Sequence, residues 1–398
     1  MDVDLRSLVV ITAIAAFTPL VVGLLRIKVA EVVLLLGAGI LFGPELIGWI
    51  VVDDSIALLS ELGLGLLFFL AGMELEQRAI RGMSGKLAAV GWLISLIVAF
   101  AAAMLMNFRG KIDDTIGVAI ALTSTALGTL LPMLRDRGEL GTRFGTFFMG
   151  AGAWGEFGPI IAISILLGTK SKFAAIASLL LFAVVAWVMA VLPARFAGDR
   201  VREVIARGSS TSSQTALRFT MLLLVMMLAL AGDFGLDVVL GAFIAGVIVR
   251  RFAPHGAESV LQSRIEAIGF GFLIPLFFVV SGVELDVRSI IDDPWSMVRF
   301  FLYIFIARGV TTYFLYRRAF PEPRARARFS LYVATGLPII VAVTAIEVSA
   351  GAMSSQDAAA LVGAGALTVL IFPLLGNALV KGRPGDETED QERAAKVV

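Results

Sequence analysis

Apolar residues in this chain do not alternate with polar ones. They run in long blocks, separated by short clusters of Arg, Lys, Asp, Glu, Gly and Pro. Thirteen blocks are legible, at about 5–25, 30–50, 56–76, 85–106, 114–134, 143–168, 172–194, 214–232, 235–252, 263–283, 295–316, 328–349 and 356–380. The hydrocarbon core of a bilayer is roughly 30 Å thick, and about 20 consecutive apolar residues cross it as a helix. The pattern therefore predicts an all-α polytopic membrane protein with thirteen transmembrane helices over residues 1–380. A short tail rich in Asp and Glu follows at 381–398, with too few apolar residues to hold a fixed structure.

Composition agrees with that solvent. Apolar residues make up 58% of the chain and charged residues 16%, beyond what a soluble core of 398 residues requires. The first block has no basic leader and no small-residue cleavage site, so it reads as a retained span and not a signal peptide. There is no cysteine, which excludes disulfides and thiolate metal sites, and the one histidine, His255, falls in a polar loop where water solvates it. The net charge of +1 points to no charged macromolecule. The expected partner is the lipid bilayer, with no nucleic acid and no cofactor.

Charge position says more than charge balance. Lys and Arg collect around the loops after odd-numbered blocks, as in Arg26 and Lys28, Arg135 and Arg137, Arg250 and Arg251, and Arg317 and Arg318. The loops after even-numbered blocks hold few, among them Arg109, Lys111, Lys170, Lys172, Arg288 and Arg299. Basic loops stay cytoplasmic, which predicts an outside N-terminus and a cytoplasmic C-terminus. The other face carries paired acids, Asp53-Asp54, Asp113-Asp114 and Asp292-Asp293, each before a span. They read as helix caps against the positive dipole end. None extends into the double acidic motif with which a membrane prenyltransferase holds magnesium diphosphate, so no enzyme is expected.

The chain repeats itself. FFLAGMELEQRAI from Phe68 matches FVVSGVELDVRSI from Phe278 at a constant offset of 210, and EVVLLLGAG at Glu31 echoes DVVLGAF at Asp237. The third block maps onto the tenth and the second onto the ninth. A shift of seven spans is odd, so the halves enter the membrane in opposite directions. Two inverted six-helix repeats, about 5–168 and 214–380, are then joined by a linker helix at about 172–194, a common design of secondary transporters.

In such designs the site lies where helices are interrupted near mid-membrane. The fifth block places Thr123, Ser124 and Thr125 together, followed by Gly128 and Pro132. Its repeat partner, the twelfth, has Thr335, Gly336 and Pro338. Proline removes a donor and glycine loosens a helix, so both blocks are expected to be discontinuous helices that cross. Two charges lie deep in blocks: Glu156, about twelve residues from either end of the sixth, and Arg308, near the middle of the eleventh. A buried charge costs several kcal/mol, roughly, unless paired or watered. The two are expected to neutralise each other beside the crossing, either at an ion site or as a purely structural pair. Glu61 and Glu347 stand nearer the interfaces, where water reaches them, with Glu347 toward the outside; their roles stay open.

LTSTA in the fifth block, GAGAWGEFGPI in the sixth, the paired FFLAGMELE and FFVVSGVELD, and Arg308 together resemble the second branch of the monovalent cation/proton antiporter superfamily. That branch includes bacterial sodium/proton exchangers and glutathione-gated potassium effluxers. The resemblance implies that Glu156 takes up either a proton or a monovalent cation, Na+ or K+, and is the one metal-ion ligand of the set. Thr123 and Ser124 would help line the site, and Arg308 would compensate charge. It implies a homodimer in a bacterial inner membrane. It also implies displacement of a core bundle, blocks 4 to 6 and 11 to 13, against blocks 1 to 3 and 8 to 10. One departure matters: where related sodium exchangers often carry Asn-Asp, Gln-Asp or two adjacent acids, this chain has Gly155-Glu156. One carboxylate predicts one proton for one cation, and hence electroneutral exchange. The effluxers carry a nucleotide-binding domain after the last span; none is expected in cis here. The rival expectation is a sodium-coupled organic-anion symporter or a non-transporting sensor of the same fold, which would need more polar residues around a cavity.

Overall fold

The computed structural model describes residues 3–25, 30–74, 82–166, 180–182, 184–188, 214–234, 236–252 and 258–379. The tail at 381–398, His255, Lys170, Lys172 and most of the linker block lie outside them. The first helices are α1 (Val3–Leu25), α2 (Glu31–Phe42), α3 (Asp54–Glu74), α4 (Met83–Phe108), α5 (Thr115–Ala121), α6 (Leu127–Asp136) and α7 (Arg143–Leu166). Then come α8 (Thr215–Asp233), α9 (Val238–Phe252), and α10 (Glu258–Ile268), which runs through a π-helical turn at Gly269–Leu273 into α11 (Ile274–Val283). The last are α12 (Val287–Asp292), α13 (Pro294–Ile304), a π-helical stretch at Phe305–Val310, α14 (Thr311–Leu315), α15 (Pro323–Val333), α16 (Pro338–Ser349) and α17 (Ser355–Ala378).

Among the described residues, nine spans are long and apolar enough to cross a membrane. They correspond to blocks 1, 3, 4, 6, 8 and 10 to 13. The second block is shorter as a helix than its apolar run, because Gly43 and Pro44 end α2 and the chain folds back, Trp49 N–H bonding to the Phe42 carbonyl at 3.0 Å. The fifth is split into α5 and α6, and the ninth is the 15-residue α9. The chain divides into two compact units, Met1–Leu75 with Ile160–Glu284 and Glu76–Pro159 with Leu285–Val398.

In the first unit, α3 packs on α9 and α2 on α11 through backbone contact. A β-carbon added to Gly72 would strike the Phe243 carbonyl oxygen, and one on Gly246 the Phe69 carbonyl oxygen. The other pair repeats this: Gly39 abuts the Val279 carbonyl and Gly282 the Leu36 carbonyl. Lipid tails are as apolar as Leu, so helices in a bilayer associate by such close van der Waals fit and not by a hydrophobic difference. Gly72 and Gly282 stand at the 210-residue offset of the sequence repeat, so the repeated letters serve the same contact twice.

The second unit holds blocks 4 to 6 and 11 to 13. At one end, Phe144, Phe148, Phe320, Phe329 and Tyr332 interlock, Phe144 meeting Phe329 and Tyr332 edge-on at 5.6 Å each. The buried Arg328 lies over the Phe144 ring at 4.4 Å and bonds to Glu139 at 2.5 Å, so its charge is both paired and stacked. At helix starts, Asp53 and Asp114 cap as expected, accepting from Ile56 N–H and Gly117 N–H, each at 2.8 Å. At the third acid pair the main partner of the Asp293 carboxylate is a side chain, Arg299, at 2.8 Å.

The backbone contacts give a testable contrast. Gly72→Val should lower the thermal unfolding midpoint of the detergent-solubilised protein by an amount equivalent to about 1–3 kcal/mol of overpacking. Gly37→Ala, where an added β-carbon meets nothing within 4 Å, should leave the midpoint unchanged.

Candidate ion-binding site

The site grows from an interrupted helix. α5 ends at Ala121, α6 begins at Leu127, and Thr123, Ser124 and Thr125 fill the gap, all buried. Thr123 turns its hydroxyl back onto its own helix, Oγ1 donating to the Ile120 carbonyl at 2.7 Å. The Thr125 backbone leaves the helix altogether, its N–H bonding to the Gly155 carbonyl of α7 at 3.1 Å. Proline explains why that carbonyl is available. Pro159, four residues on, has no N–H to donate to it, so α7 keeps its course while lending an acceptor to the broken helix.

The second break lies between α15 and α16, where Thr335 and Gly336 belong to neither helix and Pro338 sits at the first turn of α16, a position that proline's fixed φ suits. The two breaks meet. Ala126 N–H donates to the Thr335 carbonyl at 2.7 Å, and Thr125 Oγ1 donates to the Val333 carbonyl at 2.7 Å. A β-carbon on Gly336 would lie 2.5 Å from Ser124 Oγ, so the two interrupted backbones touch there. Thr335 Oγ1 returns to the Leu331 carbonyl at 3.0 Å, and Thr368 of α17 bridges Gly336, accepting from its N–H at 3.2 Å and donating to its carbonyl at 3.1 Å. Ser124 Oγ is buried and has no hydrogen-bond partner among the described residues.

Glu156 caps the new helix start. Its Oε1 accepts from Leu127 N–H at 2.9 Å and Gly128 N–H at 3.3 Å, the first amides of α6. A helix that begins inside a bilayer exposes such amides together with the positive end of its dipole. A carboxylate answers both, and a hydrogen bond to a charged group is worth about 1.5–3 kcal/mol. Gly128 and Pro132, expected to help form the break, lie instead within α6. The reason is the same cap: once Glu156 holds Leu127 and Gly128, the helix closes before either residue loosens it.

Arg308 enters from the widened π-helical stretch of block 11 and is 2% exposed. Its Nε and Nη2 donate to Thr125 Oγ1 at 3.1 and 3.0 Å, and Nη2 also to the Ala151 carbonyl at 2.9 Å. It therefore reaches the break at Thr125, two residues before the Leu127 amide that Glu156 holds. A β-carbon on Gly155 would lie 2.7 Å from Arg308 Nη2, 2.5 Å from Thr125 Cβ, and closer still to Thr125 Oγ1. The bare α-carbon at 155 is what admits the guanidinium. Glu347, at the far end of α16, lies beside the Asp114 carboxyl, away from the break.

Sequence reading thus pointed to Glu156, Arg308 and both breaks, but where a pair between the two charges was expected, the guanidinium bonds instead to Thr125 and the Ala151 carbonyl, which lie closer to it. It missed two things: that Thr125 is the hydroxyl which takes the arginine, and that Thr368 stitches the second break. A lone threonine in the apolar run around Thr368 was the available signal.

Interrupted helices meeting at a buried carboxylate, in a polytopic helical membrane protein, are the architecture of a secondary transporter. The chain belongs to the sodium/hydrogen exchanger family, whose transmembrane profile matches residues 12–382; it is a transporter-family protein and not an enzyme. YjbQ of Bacillus subtilis (strain 168), named as a Na+/H+ antiporter, is 22% identical over 396 residues, 95% of this chain and 63% of its own length. KefC of Escherichia coli (strain K12), named as a glutathione-regulated potassium-efflux system protein, is 24% identical over 379 residues, 93% of this chain and 59% of its own. The chain spans about three fifths of the length of these curated relatives. The solved structure of the sodium proton antiporter MjNhaP1 from Methanocaldococcus jannaschii at pH 8 shares the fold, with a TM-score of 0.63 at 17% identity over 94% of this chain and 99% of that one.

The node at Thr125 is testable. Thr125→Val should leave Arg308 short of an acceptor and lower stability by about 1–3 kcal/mol, whereas Thr125→Ser, which keeps the hydroxyl, should unfold close to wild type in the same thermal assay. Gly155→Ala should behave like Thr125→Val, because its methyl displaces the guanidinium.

Proposed function

We propose that this protein exchanges a monovalent cation, Na+ or K+, for protons across a cell inner membrane, with Glu156 as the seat for which they compete. The observation that carries the reading is Glu156 itself, buried and bonded to the start of α6 at the contact of two interrupted helices. A carboxylate away from bulk water holds its charge only with a partner. A proton or a cation supplies one, and each excludes the other from the same oxygens. Thr123 and Ser124 belong to the break that Glu156 caps and offer oxygen ligands suited to a hard cation, Ser124 Oγ being without a partner among the described residues. Arg308 keeps a fixed positive charge on Thr125, in the same break, and holds the empty carboxylate's surroundings together during the return step.

Exchange is electroneutral in this reading. Gly155 brings no second carboxylate, and the space its side chain would need is taken by Thr125 and Arg308. One acid then carries one proton or one cation. The chain crosses the membrane thirteen times as two inverted six-helix repeats, its discontinuous helices crossing at mid-membrane, with the N-terminus outside and the C-terminus in the cytoplasm. The unit of blocks 4 to 6 and 11 to 13 carries the ion, and the protein works as a homodimer.

Proteoliposomes with a trapped pH dye test this directly. A sodium or potassium pulse should move protons in wild type without generating a membrane potential, and Glu156→Gln should abolish the response; wild-type exchange by that variant would sink the proposal. Because proton and cation compete, the cation concentration for half-maximal exchange should rise as pH falls, by about tenfold per pH unit once the carboxyl is mostly protonated.

A further inference from the structure

On the second unit, away from the ion site, α4, α7 and the π-stretch with α14 enclose a groove of about 850 Å³. Its walls are apolar: Leu87, Ile94 and Val98 from α4 face Ile306, Val310 and Phe314. Its lining also includes Arg143, Arg317 and Arg318, at the start of α7 and just past the end of α14. All three are exposed, and among the described residues none forms an ion pair. Met83 and Val98 both line it, fifteen positions apart on α4, so the groove follows that helix for about 22 Å at 1.5 Å per residue. That is enough for a lipid chain descending through one leaflet, half of a roughly 30 Å core.

We propose that this groove is a binding site for an anionic phospholipid, its acyl chain along the apolar walls and its phosphate among Arg143, Arg317 and Arg318. Charge complementarity selects the occupant. Three guanidiniums without an ion-pair partner among the described residues, gathered at one end of an apolar cleft, suit one anionic head joined to a hydrocarbon tail. Both loops that bear them, after blocks 5 and 11, belong to the basic set assigned to the cytoplasmic side, where anionic lipid attracts such residues. The site also touches the machinery. Ile306 and Val310 line the groove from the same π-stretch on which Arg308 turns inward, so an occupying chain braces the outer face of the segment that holds the arginine.

The test is native mass spectrometry of the full chain in detergent, offered equal amounts of phosphatidylglycerol and phosphatidylcholine with identical acyl chains. Wild type should retain phosphatidylglycerol preferentially. Arg143→Gln/Arg317→Gln/Arg318→Gln should lower that preference, by roughly fivefold per arginine and on the order of 100-fold together. Arg135→Gln/Arg324→Gln, which removes two exposed arginines outside the groove, should leave it intact. Ile94→Trp, which fills the wall and keeps all three arginines, should weaken retention of phosphatidylglycerol, and it reads the same site if the triple variant does not fold. The proposal is overturned if wild type shows no preference, if the triple variant or Ile94→Trp binds as wild type does, or if the control pair loses the preference equally. It is also overturned if inorganic phosphate alone raises the thermal midpoint as much as phosphatidylglycerol, since the head without the chain would then suffice.

Discussion

A helix that stops inside hydrocarbon leaves backbone amides and carbonyls that no water can reach, and this is the constraint on which the second unit is built. Every group freed at the first break whose bond is described finds a specific answer. The amides of Leu127 and Gly128 go to Glu156, that of Thr125 to the Gly155 carbonyl, and that of Ala126 to the Thr335 carbonyl of the other break. The same side chain that makes the interruption stable is the one the exchange reading needs. In that reading stability and transport draw on one carboxylate, and a proton or cation bound there would act on the start of α6 as well as on local charge.

Thr125 joins the pieces that Glu156 does not reach. Its hydroxyl faces the end of α15 in one direction and the Arg308 guanidinium in the other. Its N–H meanwhile binds α7 at a carbonyl that Pro159 leaves open. A fully buried arginine is costly unless its donors are used, and here Nε and Nη2 are spent on a hydroxyl and on a helix carbonyl, through a π-helical stretch of the kind found at functional positions. Gly155 is the steric condition for all of this. The absence of a second acid next to Glu156 is thus a packing requirement of the arginine as well as a statement about charge.

The first unit obeys a different rule. Its helices approach until backbone meets backbone, at Gly72 with Gly246 and at Gly39 with Gly282. Each contact tolerates no side chain, so the packing is rigid and particular. The second unit instead combines an aromatic cluster with polar breaks and presents a groove whose three arginines lack counter-charges among the described residues. These are separate packing solutions, one of backbone-close helices and one of aromatic rings and satisfied breaks.

Much of this was legible in the chain alone, because a bilayer simplifies the problem. Block length marked the nine spans found among the described residues, clustered hydroxyls marked the first interruption and Gly336 with Pro338 the second, and the isolation of Glu156 and Arg308 in apolar runs marked them as polar groups with something to do. The offset of 210 between Phe68 and Phe278 announced a repeat, whose glycines turned out to make the same contact twice. Tertiary structure decided what periodicity cannot encode. Gly128 and Pro132 carry the letters of a break, but the break closes before them because an acid 28 residues downstream caps the helix. Thr123, Ser124 and Thr125 look interchangeable in sequence; only the approach of an arginine from 183 residues away selects Thr125 as its acceptor. Local composition fixes where a helix is weak, whereas which group satisfies the weakness depends on what the rest of the fold brings within hydrogen-bond reach.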